Sequence, residues 1–574
     1  MRKQLEKLRA QMQNHGIDVY IVPTTDCHGS EYVNDYFKCR EYISGFTGSA
    51  GTLAVTSDTA ALWTDGRYFL QAEAELSGSG IDLMKEGMPG VPTLEEYIET
   101  LAQEKTLGKL KTGFDGRVVS AAQGRRLENF ADIVWDTDLA GEIWQTRPKI
   151  KPSHIYELDI SVTGETSESK LARVRAQMTE CDFLLVTNLE QIAWLYNLRG
   201  DDIENTPVFF AFALIGRDTD TLYVMDKSFE RENLRPYMQI FEDLKALKNC
   251  NICLDDKSAS YALLSCLDGS VHVIESENPI ELMKAVKNDT EIACTRNAHI
   301  RDGVAMVKFL YWLKTNVGSM HITEISAADY LESCRRQQGA YGLSFDTIAG
   351  YEEHGAIIHY QATDRSNVKI RPEGFLLLDS GGQYRDGTTD ITRTVALGSV
   401  PPDRKHAYTA VLKSNITLAM ARFGYETTGA ELDSLARKPL ADRGFDFNHG
   451  TGHGVGHMLS VHEGPNTISR RGDKCHIVPG MITSDEPGVY FEGEYGIRLE
   501  NEILCTKDAN GLYFETITLC PFERDAIKVE MLREDELEYL NNYHREVYDA
   551  LKEYLDEDEA AWLLEQTKPM EINL

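Results

Sequence analysis

The chain has 574 residues, of which 42% are hydrophobic and 26% are charged, and its formal net charge is −32 at pH 7. This length exceeds what one hydrophobic core supports, so we expect two to four domains. The negative charge argues against a nucleic-acid partner, because phosphates would be repelled, and no apolar run in the sequence reaches the roughly 18 residues of a membrane span.

The first 150 residues read as one α/β domain. Residues Gln4 to Gln13 predict an amphipathic helix, which lacks the apolar core of a signal peptide. A strand is predicted over Val19–Pro23, and short β runs between glycine and serine turns follow over residues 42–56 and 60–69. Together these elements favour a mixed domain that spans residues 1–150.

A second segment repeats the pattern of the first. LRAQM at residue 8 recurs as VRAQM at residue 174, DVYIV at 18 recurs as DFLLV at 182, and ALWTD at 61 is echoed by TLYVMD at 221. The nearly constant early spacing predicts an internal duplication, with chance similarity of two helix–strand units as the alternative. The polar, proline-bearing segment 147–159 reads as the linker, and the second domain is predicted over residues 151–290.

The remaining chain divides into a third domain, predicted over residues 291–520, and a tail over residues 521–574. Two helical apolar stripes open the third domain, and strands then alternate with glycine turns. The tail carries an apolar stripe at helical spacing, which we interpret as a packing or dimer-contact surface. Its members are Leu537, Leu540, Tyr543, Val547, Leu551 and Tyr554.

The segment from Phe375 to Thr394 reads as a hairpin that presents two carboxylates. A buried apolar strand ends on Asp379, and Asp390 begins the returning strand. A turn centred on residues 384–385 would place the two acids directly opposite each other, whereas a turn at 386–387 would leave them on one face but offset. An ordinary solvated hairpin is the alternative interpretation of this segment alone.

Further metal-binding residue types follow downstream. A glycine-rich segment over residues 447–465 holds four histidines, and glycine lets the backbone come close while imidazoles point into a cavity. These histidines are His449, His453, His457 and His462. Glu486 then precedes a Pro-Gly turn, and Glu500 is predicted to lie on a strand that also carries Arg498.

This set of ligands predicts a two-metal site. It comprises Asp379, Asp390, one of the four histidines, Glu486 and Glu500. Four carboxylates and one imidazole are too hard and anionic for a structural zinc site, which favours thiolates. They suit two divalent cations that share bridging carboxylates. Without a metal the four acids would repel one another, and some would become neutral.

The third domain resembles the pita-bread metallopeptidases, the fold family of methionine aminopeptidase, prolidase, Xaa-Pro aminopeptidase and creatinase. The most similar pattern is that of the Xaa-Pro aminopeptidases, also called aminopeptidase P. Besides the hairpin, the matching motifs are GAIIHY at residue 355, HGTGHGVG at 449, VHEGP at 461, DEPGVY at 485 and GIRLEN at 496.

The resemblance extends to the rest of the chain and implies its fold class. The duplicated N-terminal segments are similar to the two creatinase-type domains of the long, three-domain cytosolic form, and the tail resembles the C-terminal extension of that form. The implied fold is α/β, of the α+β type. It has two duplicated creatinase-type N-terminal domains, a pita-bread catalytic domain and a helical C-terminal extension.

The resemblance also implies which residues would hold the metals. Asp379 would bind one ion, and His453 and Glu486 would bind the other. Asp390 and Glu500 would bridge the pair. The resemblance implies that the two divalent ions are Mn²⁺, and the hard oxygen ligands favour the same ion.

Other roles are implied in the same way. The implied catalytic residues are His359, His462 and Glu486, and the implied substrate-binding residues are His359, His449, His462 and Arg67. Arg67 resembles an arginine that reaches into the partner subunit's site in dimeric relatives. Arg498 would orient the metal-bound carboxylates. We assign no role to His457, which we expect to be an ordinary loop residue, and we expect Asp386 to be a turn residue.

The resemblance implies a metal-dependent aminopeptidase, a hydrolase that releases the N-terminal residue from peptides with proline second, through attack by a hydroxide that bridges the metals. The alternatives are a prolidase-type Xaa-Pro dipeptidase, a non-catalytic pita-bread binding module and a metal-free creatinase-like amidinohydrolase. We expect a homodimer, no membrane and no nucleic-acid partner. We expect a cytoplasmic location, because the eleven scattered cysteines fit a reducing compartment better than a disulfide framework.

Overall fold

The computed structural model describes residues 2–104 and 108–571. The chain forms two compact units. Unit 1 contains residues 1–159 and 165–280, and unit 2 contains residues 160–164 and 281–574. Among the described residues, the helices are too short or too polar to cross a membrane.

The first half of unit 1 is a six-stranded mixed sheet with helices. Its strands are β1 (Val19–Pro23), β2 (Thr52–Thr56), β3 (Ala60–Thr64), β4 (Asp82–Lys85), β5 (Leu110–Gly113) and β6 (Ala131–Val134). Its helices are α1 (Lys3–His15), α2 (Cys39–Ser44), α3 (Phe69–Leu76), α4 (Leu94–Glu104), α5 (Ala121–Glu128) and α6 (Leu139–Ile143). Successive residues of β1 enter two different apolar clusters, Tyr20 and Val22 in one and Val19 and Ile21 in the other, so β1 is buried on both faces.

The second half repeats this arrangement. Its strands are β7 (Tyr156–Glu157), β8 (Phe183–Val186), β9 (Leu198–Arg199), β10 (Ala211–Gly216), β11 (Asp220–Val224), β12 (Leu234–Pro236), β13 (Asn251–Leu254) and β14 (His272–Glu275). Its helices are α8 (Ser167–Gln177), α9 (Leu189–Tyr196), α10 (Gln239–Ala246) and α11 (Tyr261–Ser265), while the preceding short helix α7 (Ile160–Thr163) belongs to unit 2.

The two sheets of unit 1 have the same topology. The strand order is β4-β3-β2-β1-β5-β6 in one and β12-β11-β10-β8-β13-β14 in the other. Equivalent neighbours also agree in direction, since β1 pairs antiparallel with β2 and parallel with β5, and β8 pairs antiparallel with β10 and parallel with β13. The repeated sequence segments fall on equivalent elements, so the predicted duplication is confirmed.

The two halves of unit 1 meet through a reciprocal contact. The backbone N–H of Ala121 donates to the carbonyl of Ala259, and the N–H of Tyr261 donates to the carbonyl of Val119, both at 2.8 Å. These residues lie at the start of α5 and α11, which are equivalent helices. The ring of Tyr261 packs so closely on Gly124 that a Cβ there would lie 2.1 Å from it.

Unit 2 contains two main sheets, ordered β16-β17-β20 and β21-β28-β27-β24-β22-β23. Its strands are β15 (Gly342–Leu343), β16 (Ile348–Tyr351), β17 (Phe375–Ser380), β18 (Gly382–Tyr384), β19 (Gly387–Thr388), β20 (Ile391–Ala396), β21 (Arg422–Phe423), β22 (Gly452–Gly454), β23 (Glu463–Ile468), β24 (Ile482–Asp485), β25 (Gly488–Phe491), β26 (Tyr495–Arg498), β27 (Asn501–Asp508) and β28 (Gly511–Thr516). Its helices after α7 are α12 (Pro279–Ala285), α13 (Asp289–Asn316), α14 (Glu324–Gln337), α15 (Pro402–Ala419), α16 (Gly429–Ala441), α17 (Glu534–Leu551) and α18 (Glu557–Gln566).

Most residues of the apolar stripe in the tail pack within the core of unit 2. Leu540, Tyr543, Val547 and Leu551 are buried in a core that includes residues of α15 and β26. Tyr554 lies beyond α17 and is 61% exposed. Packing within unit 2 therefore accounts for the four buried members of this stripe.

Candidate metal centre

The hairpin that carries Asp379 and Asp390 has a register between the two alternatives considered above. Asp379 lies opposite Thr392, and Tyr384 lies opposite Gly387. The turn is therefore at Arg385–Asp386. Thr392 is two residues after Asp390, so the two acids share one face of the ribbon and are offset along it.

The second sheet brings the other predicted ligands to the same place. His453 lies on β22, Glu486 directly follows β24, and Glu500 directly precedes β27. The two sheets are tied by the backbone N–H of Glu500, which donates to the carbonyl of Thr392 at 3.0 Å. The convergence of strand ends explains how residues more than a hundred positions apart can form one site.

Three ligand atoms, one each from Asp390, His453 and Glu500, lie within 4.8 Å of one another. The Nε2 atom of His453 is 3.5 Å from Asp390 Oδ2 and 3.5 Å from Glu486 Oε1. The Thr392 hydroxyl donates to Glu500 Oε2 at 2.7 Å, which fixes that carboxylate. The geometry thus brings together four of the five predicted ligands.

Asp379 faces this cluster from the neighbouring hairpin strand. Its charge contributes to raising the pKa values of Asp390, Glu486 and Glu500, although burial is the largest cause in each case. The pKa of Glu486 rises to about 7, and those of Asp390 and Glu500 rise well above their ordinary values. In the absence of a cation, Asp390, Glu486 and Glu500 therefore hold their protons more tightly than free carboxylic acids do.

Two carboxylate oxygens in this cluster are buried without a hydrogen-bond partner among the residues the structure describes. They are Oδ1 of Asp379 and Oδ1 of Asp390. A buried oxygen of this kind is normally satisfied, so each points to a cation or an ordered water. Hard oxygen donors and one imidazole fit two divalent ions, and such ions would relieve the repulsion among the acids.

Arg498 and Tyr490 form a hydrogen-bonded group beside the predicted ligands. Arg498 Nη2 lies 2.6 Å from Asp379 Oδ2, and Nη1 donates to the Tyr490 hydroxyl at 2.8 Å. The Tyr490 hydroxyl also lies 2.7 Å from His449 Nε2. Sequence reasoning missed Tyr490, although its place in the DEPGVY motif, four residues after Glu486, was a usable signal.

The remaining predicted histidines line the same region. The ring of His462 lies 4.4 Å from that of His453 and nearly perpendicular to it. His449 Nδ1 is 3.9 Å from Glu486 Oε2. His359 is half-buried and follows Ile358, whose carbonyl accepts a hydrogen bond from Arg498 at 3.3 Å.

Three further residues complete the comparison with prediction. His457 lies in the loop between β22 and β23, as expected, and is buried there with Nε2 at 3.1 Å from the Val162 carbonyl. Asp386 lies in the turn as expected and pairs with Arg301. Arg67 lies in unit 1 after β3, where Asp65 accepts two of its hydrogen bonds at 2.9 and 2.8 Å.

The fold and the site define a metallopeptidase, and comparison with known proteins agrees. Metallopeptidase family M24 matches residues 293–507, and the C-terminal region of peptidase M24 matches 510–570. The creatinase/prolidase N-terminal domain matches twice, over 4–148 and 146–291.

Relatives that match along almost the whole chain show which metallopeptidases it belongs with. "Probable Xaa-Pro aminopeptidase P" of Laccaria bicolor is 37% identical over 616 residues, covering 99% of this chain and 93% of the relative. "Xaa-Pro aminopeptidase 1" of Dictyostelium discoideum is 37% identical, covering 99% and 96%. The chain belongs to the Xaa-Pro aminopeptidases of metallopeptidase family M24.

A solved structure matches over the whole chain. The crystal structure of the X-prolyl aminopeptidase from Caenorhabditis elegans superposes with a TM-score of 0.93 and 32% sequence identity, covering 99% of both chains. That protein is described as a cytosolic enzyme with a di-nuclear active site. The predicted fold class, with its creatinase-type N-terminal domains and pita-bread domain, is confirmed.

Proposed function

We propose that this chain is a metal-dependent aminopeptidase that releases the N-terminal residue from peptides with proline in the second position. The observation that carries the proposal is the cluster of Asp390, His453 and Glu500, whose ligand atoms lie within 4.8 Å of one another. The names of its full-length relatives supply the substrate class. The Caenorhabditis elegans enzyme supports two metal ions per subunit.

We assign the metal ligands as Asp379, Asp390, His453, Glu486 and Glu500. The unpartnered oxygens of Asp379 and Asp390 and the crowding of four acids support this assignment. When bound, two divalent ions act as Lewis acids toward the scissile carbonyl and lower the pKa of water. The oxygen-rich ligand set supports manganese as the native ion.

The residues around the ligands provide the other parts of the reaction. Glu486 accepts a proton from the attacking water at a carboxylate oxygen and returns it to the departing proline nitrogen. His462, whose ring lies 4.4 Å from His453, stabilises the oxyanion that forms at the attacked carbonyl. His359 assists in catalysis and contacts the substrate.

The preference for proline follows from the chemistry of its amide. An Xaa-Pro bond has no N–H and a fixed φ, so a site that depends on an amide donor would reject it. The imidazoles of His359, His449 and His462 would form a wall of the substrate pocket, and contact between this wall and the proline ring requires no amide N–H. The bond between His449 Nε2 and the Tyr490 hydroxyl, at 2.7 Å, holds part of this wall in place.

Several further features belong to the same proposal. The domains are taken as 1–150, 151–290, 291–520 and 521–574, and the four family matches fall close to these bounds. The cytosolic description of the Caenorhabditis elegans enzyme supports a cytoplasmic location. We also propose a homodimer without a nucleic-acid partner, in which Arg67 contributes to substrate binding in the partner's site.

The test is release of the first residue from an Xaa-Pro-Xaa tripeptide by protein that has been stripped with chelator and then given manganese. An Xaa-Pro dipeptide is assayed beside it. We expect metal-dependent cleavage of the tripeptide and an intact dipeptide. Cleavage of the dipeptide alone would make the chain a prolidase, and inactivity on both without bound metal would leave a binding module.

A further inference from the structure

Two buried lysines near the start of unit 2 reach the histidine segment of the site. Lys284, on α12, pairs with the carboxylate of Glu463, and these side chains are only 5% and 3% exposed. Lys287, just after α12, donates from Nζ to the carbonyl of Val455 at 2.6 Å. Lysine is almost never buried unless it is paired, so two in four residues require an explanation.

The partners of these lysines flank the two site histidines closely. Glu463 directly follows His462, and Val455 lies two residues after His453. The strands β22 and β23 pair antiparallel, and their register shifts between His453 and Gly454. A shifted register fixes the position of each side chain less firmly than a regular ladder does. Both partners lie on the loop side of this irregularity, because Glu463 pairs with Gly454 and Val455 directly follows Gly454.

Close contacts restrict the movement of the segment between Val455 and Glu463. A Cβ at Gly456 would lie 2.5 Å from Glu463 Oε1, so the carboxylate packs directly on the backbone. Gly456 in turn donates to the carbonyl of Ser460 at 2.9 Å, and the N–H of Lys287 donates to Gly480 at 2.9 Å. Lys287 is therefore anchored at its own backbone as well as at its ammonium group.

Stability alone is a poor reason to keep such an ion pair. Removing two charges from water costs several kcal/mol per ion, and apolar replacements of buried pairs are often neutral or stabilising. Burial lowers the pKa of Lys287 to about 8, which shows that this position disfavours its charge. The ion pair of Lys284 and Glu463 therefore fits a role in holding a defined geometry better than a role in stabilising the fold.

We propose that Lys284 and Lys287 are positioning residues that fix the separation of His453 and His462 by holding Glu463 and Val455. This inference rests on the function proposed above, because it takes His453 as a metal ligand and His462 as the group that stabilises the oxyanion. Lys284 acts mainly on His462, and Lys287 acts mainly on His453.

The first test replaces the ion pair by apolar residues in Lys284→Met/Glu463→Met. The matched control is Lys413→Met/Glu536→Met, which removes another buried pair of unit 2, with side chains 7% and 0% exposed, between α15 and α17. We expect both double variants to fold. The first should lose about 10- to 100-fold in kcat on the tripeptide with KM changed less than about threefold, and the control should keep its kcat.

The second test measures manganese binding to stripped enzyme by titration calorimetry. We expect Lys287→Met to weaken manganese binding about tenfold, which is typical of residues that orient a ligand, while the control double variant binds as wild type does. Glu463→Asp keeps the charge but shortens the side chain, so it should fold and still lose kcat. This variant decides the point if the methionine pair does not fold.

Two results would overturn the proposal. One is wild-type kcat in Lys284→Met/Glu463→Met or in Glu463→Asp, and the other is unchanged manganese affinity in Lys287→Met. Failure of the proposed function would look different, because the wild type itself would not cleave the tripeptide. If that inactive protein still binds manganese, calorimetry on Lys287→Met decides whether the lysine positions His453. A wild type that binds no manganese overturns both proposals.

Discussion

Arg498 and Asp379 form a buried ion pair with an N–O distance of 2.6 Å, in which Arg498 contacts Oδ2 while Oδ1 has no hydrogen-bond partner among the described residues. The same guanidinium donates to the Tyr490 hydroxyl at 2.8 Å and to the Ile358 carbonyl at 3.3 Å. The guanidinium of Arg498 thus orients a proposed metal ligand, the tyrosine that contacts His449, and the segment that leads to His359.

We predict that Arg498→Lys weakens manganese binding about 10- to 100-fold, because lysine has no planar fork with which to hold Asp379 and Tyr490 together. Titration calorimetry on stripped protein measures this. Arg404→Lys is the control, since Arg404 holds Glu352 through two bonds of 2.6 and 2.9 Å in the same unit. Equal affinities in the wild type and Arg498→Lys would show that Asp379 needs no such partner.

The hairpin provides a matched pair of carboxylates for testing the ligand assignment. Asp390 belongs to the ligand cluster, whereas Asp386, four residues earlier, lies in the turn and pairs with Arg301. We predict that Asp390→Asn loses at least about 100-fold in kcat/KM and part of its bound metal, since loss of a ligand exceeds loss of an outer partner. Asp386→Asn should stay within a few-fold of wild type. Comparable losses in the two variants would refute the assignment.

Removing the metal should change how stability depends on pH. In the metal-free protein the pKa of Glu486 is raised to about 7, so the folded state binds its proton more tightly than the unfolded state does. This contribution to the free energy of unfolding is complete below the ordinary pKa of 4.5 and is lost as pH rises through about 7. Asp390 and Glu500 shift in the same direction.

We therefore predict that manganese raises the unfolding temperature more at pH 8 than at pH 5, because the ions replace protons that the acids have lost. Thermal unfolding with chelator or with manganese, across this pH range, measures the difference. Glu486→Gln should flatten the curve of the stripped protein around pH 7. A manganese-induced shift that is the same at every pH would contradict the expected sign.

Tyr490 offers a test of the wall of imidazoles. Tyr490→Phe removes the hydroxyl that joins His449 and Arg498, and one such bond contributes about 1 kcal/mol, or roughly fivefold. We predict a rise of about this size in KM for the tripeptide, with a smaller change in kcat. Tyr495→Phe is the control on the paired strand β26. A fall in kcat without a change in KM would move Tyr490 from substrate binding to catalysis.

Much of the site could be predicted because its residues sit in short motifs with unusual composition. Asp379 and Asp390 flank a glycine-rich turn, and four histidines share one glycine-rich segment. The register of the hairpin could not be predicted, because every turn position considered keeps both acids on one face and only three-dimensional pairing selects among them. The tail stripe was ambiguous for a similar reason, since core packing and dimer contact favour the same spacing.

Other features leave little trace in the sequence. Lys284 and Lys287 look like the exposed face of an ordinary amphipathic helix, because lysine is usually solvated and its partners lie far along the chain. His457 lies in the same histidine-rich segment as the predicted site histidines, yet its ring contacts the carbonyl of Val162. Such contacts depend on the tertiary fold, and spacing alone does not reveal them.

The reciprocal bonds between Ala121 and Ala259 and between Tyr261 and Val119 have a practical consequence for dissecting this protein. The arrangement has the logic of a two-fold dimer interface, in which each partner offers the same surface, but here both partners lie on one polypeptide. A fragment that stopped near residue 150 would expose this self-complementary surface and would tend to pair with a second copy of itself. Expression of the N-terminal region should therefore include both copies, through residue 280.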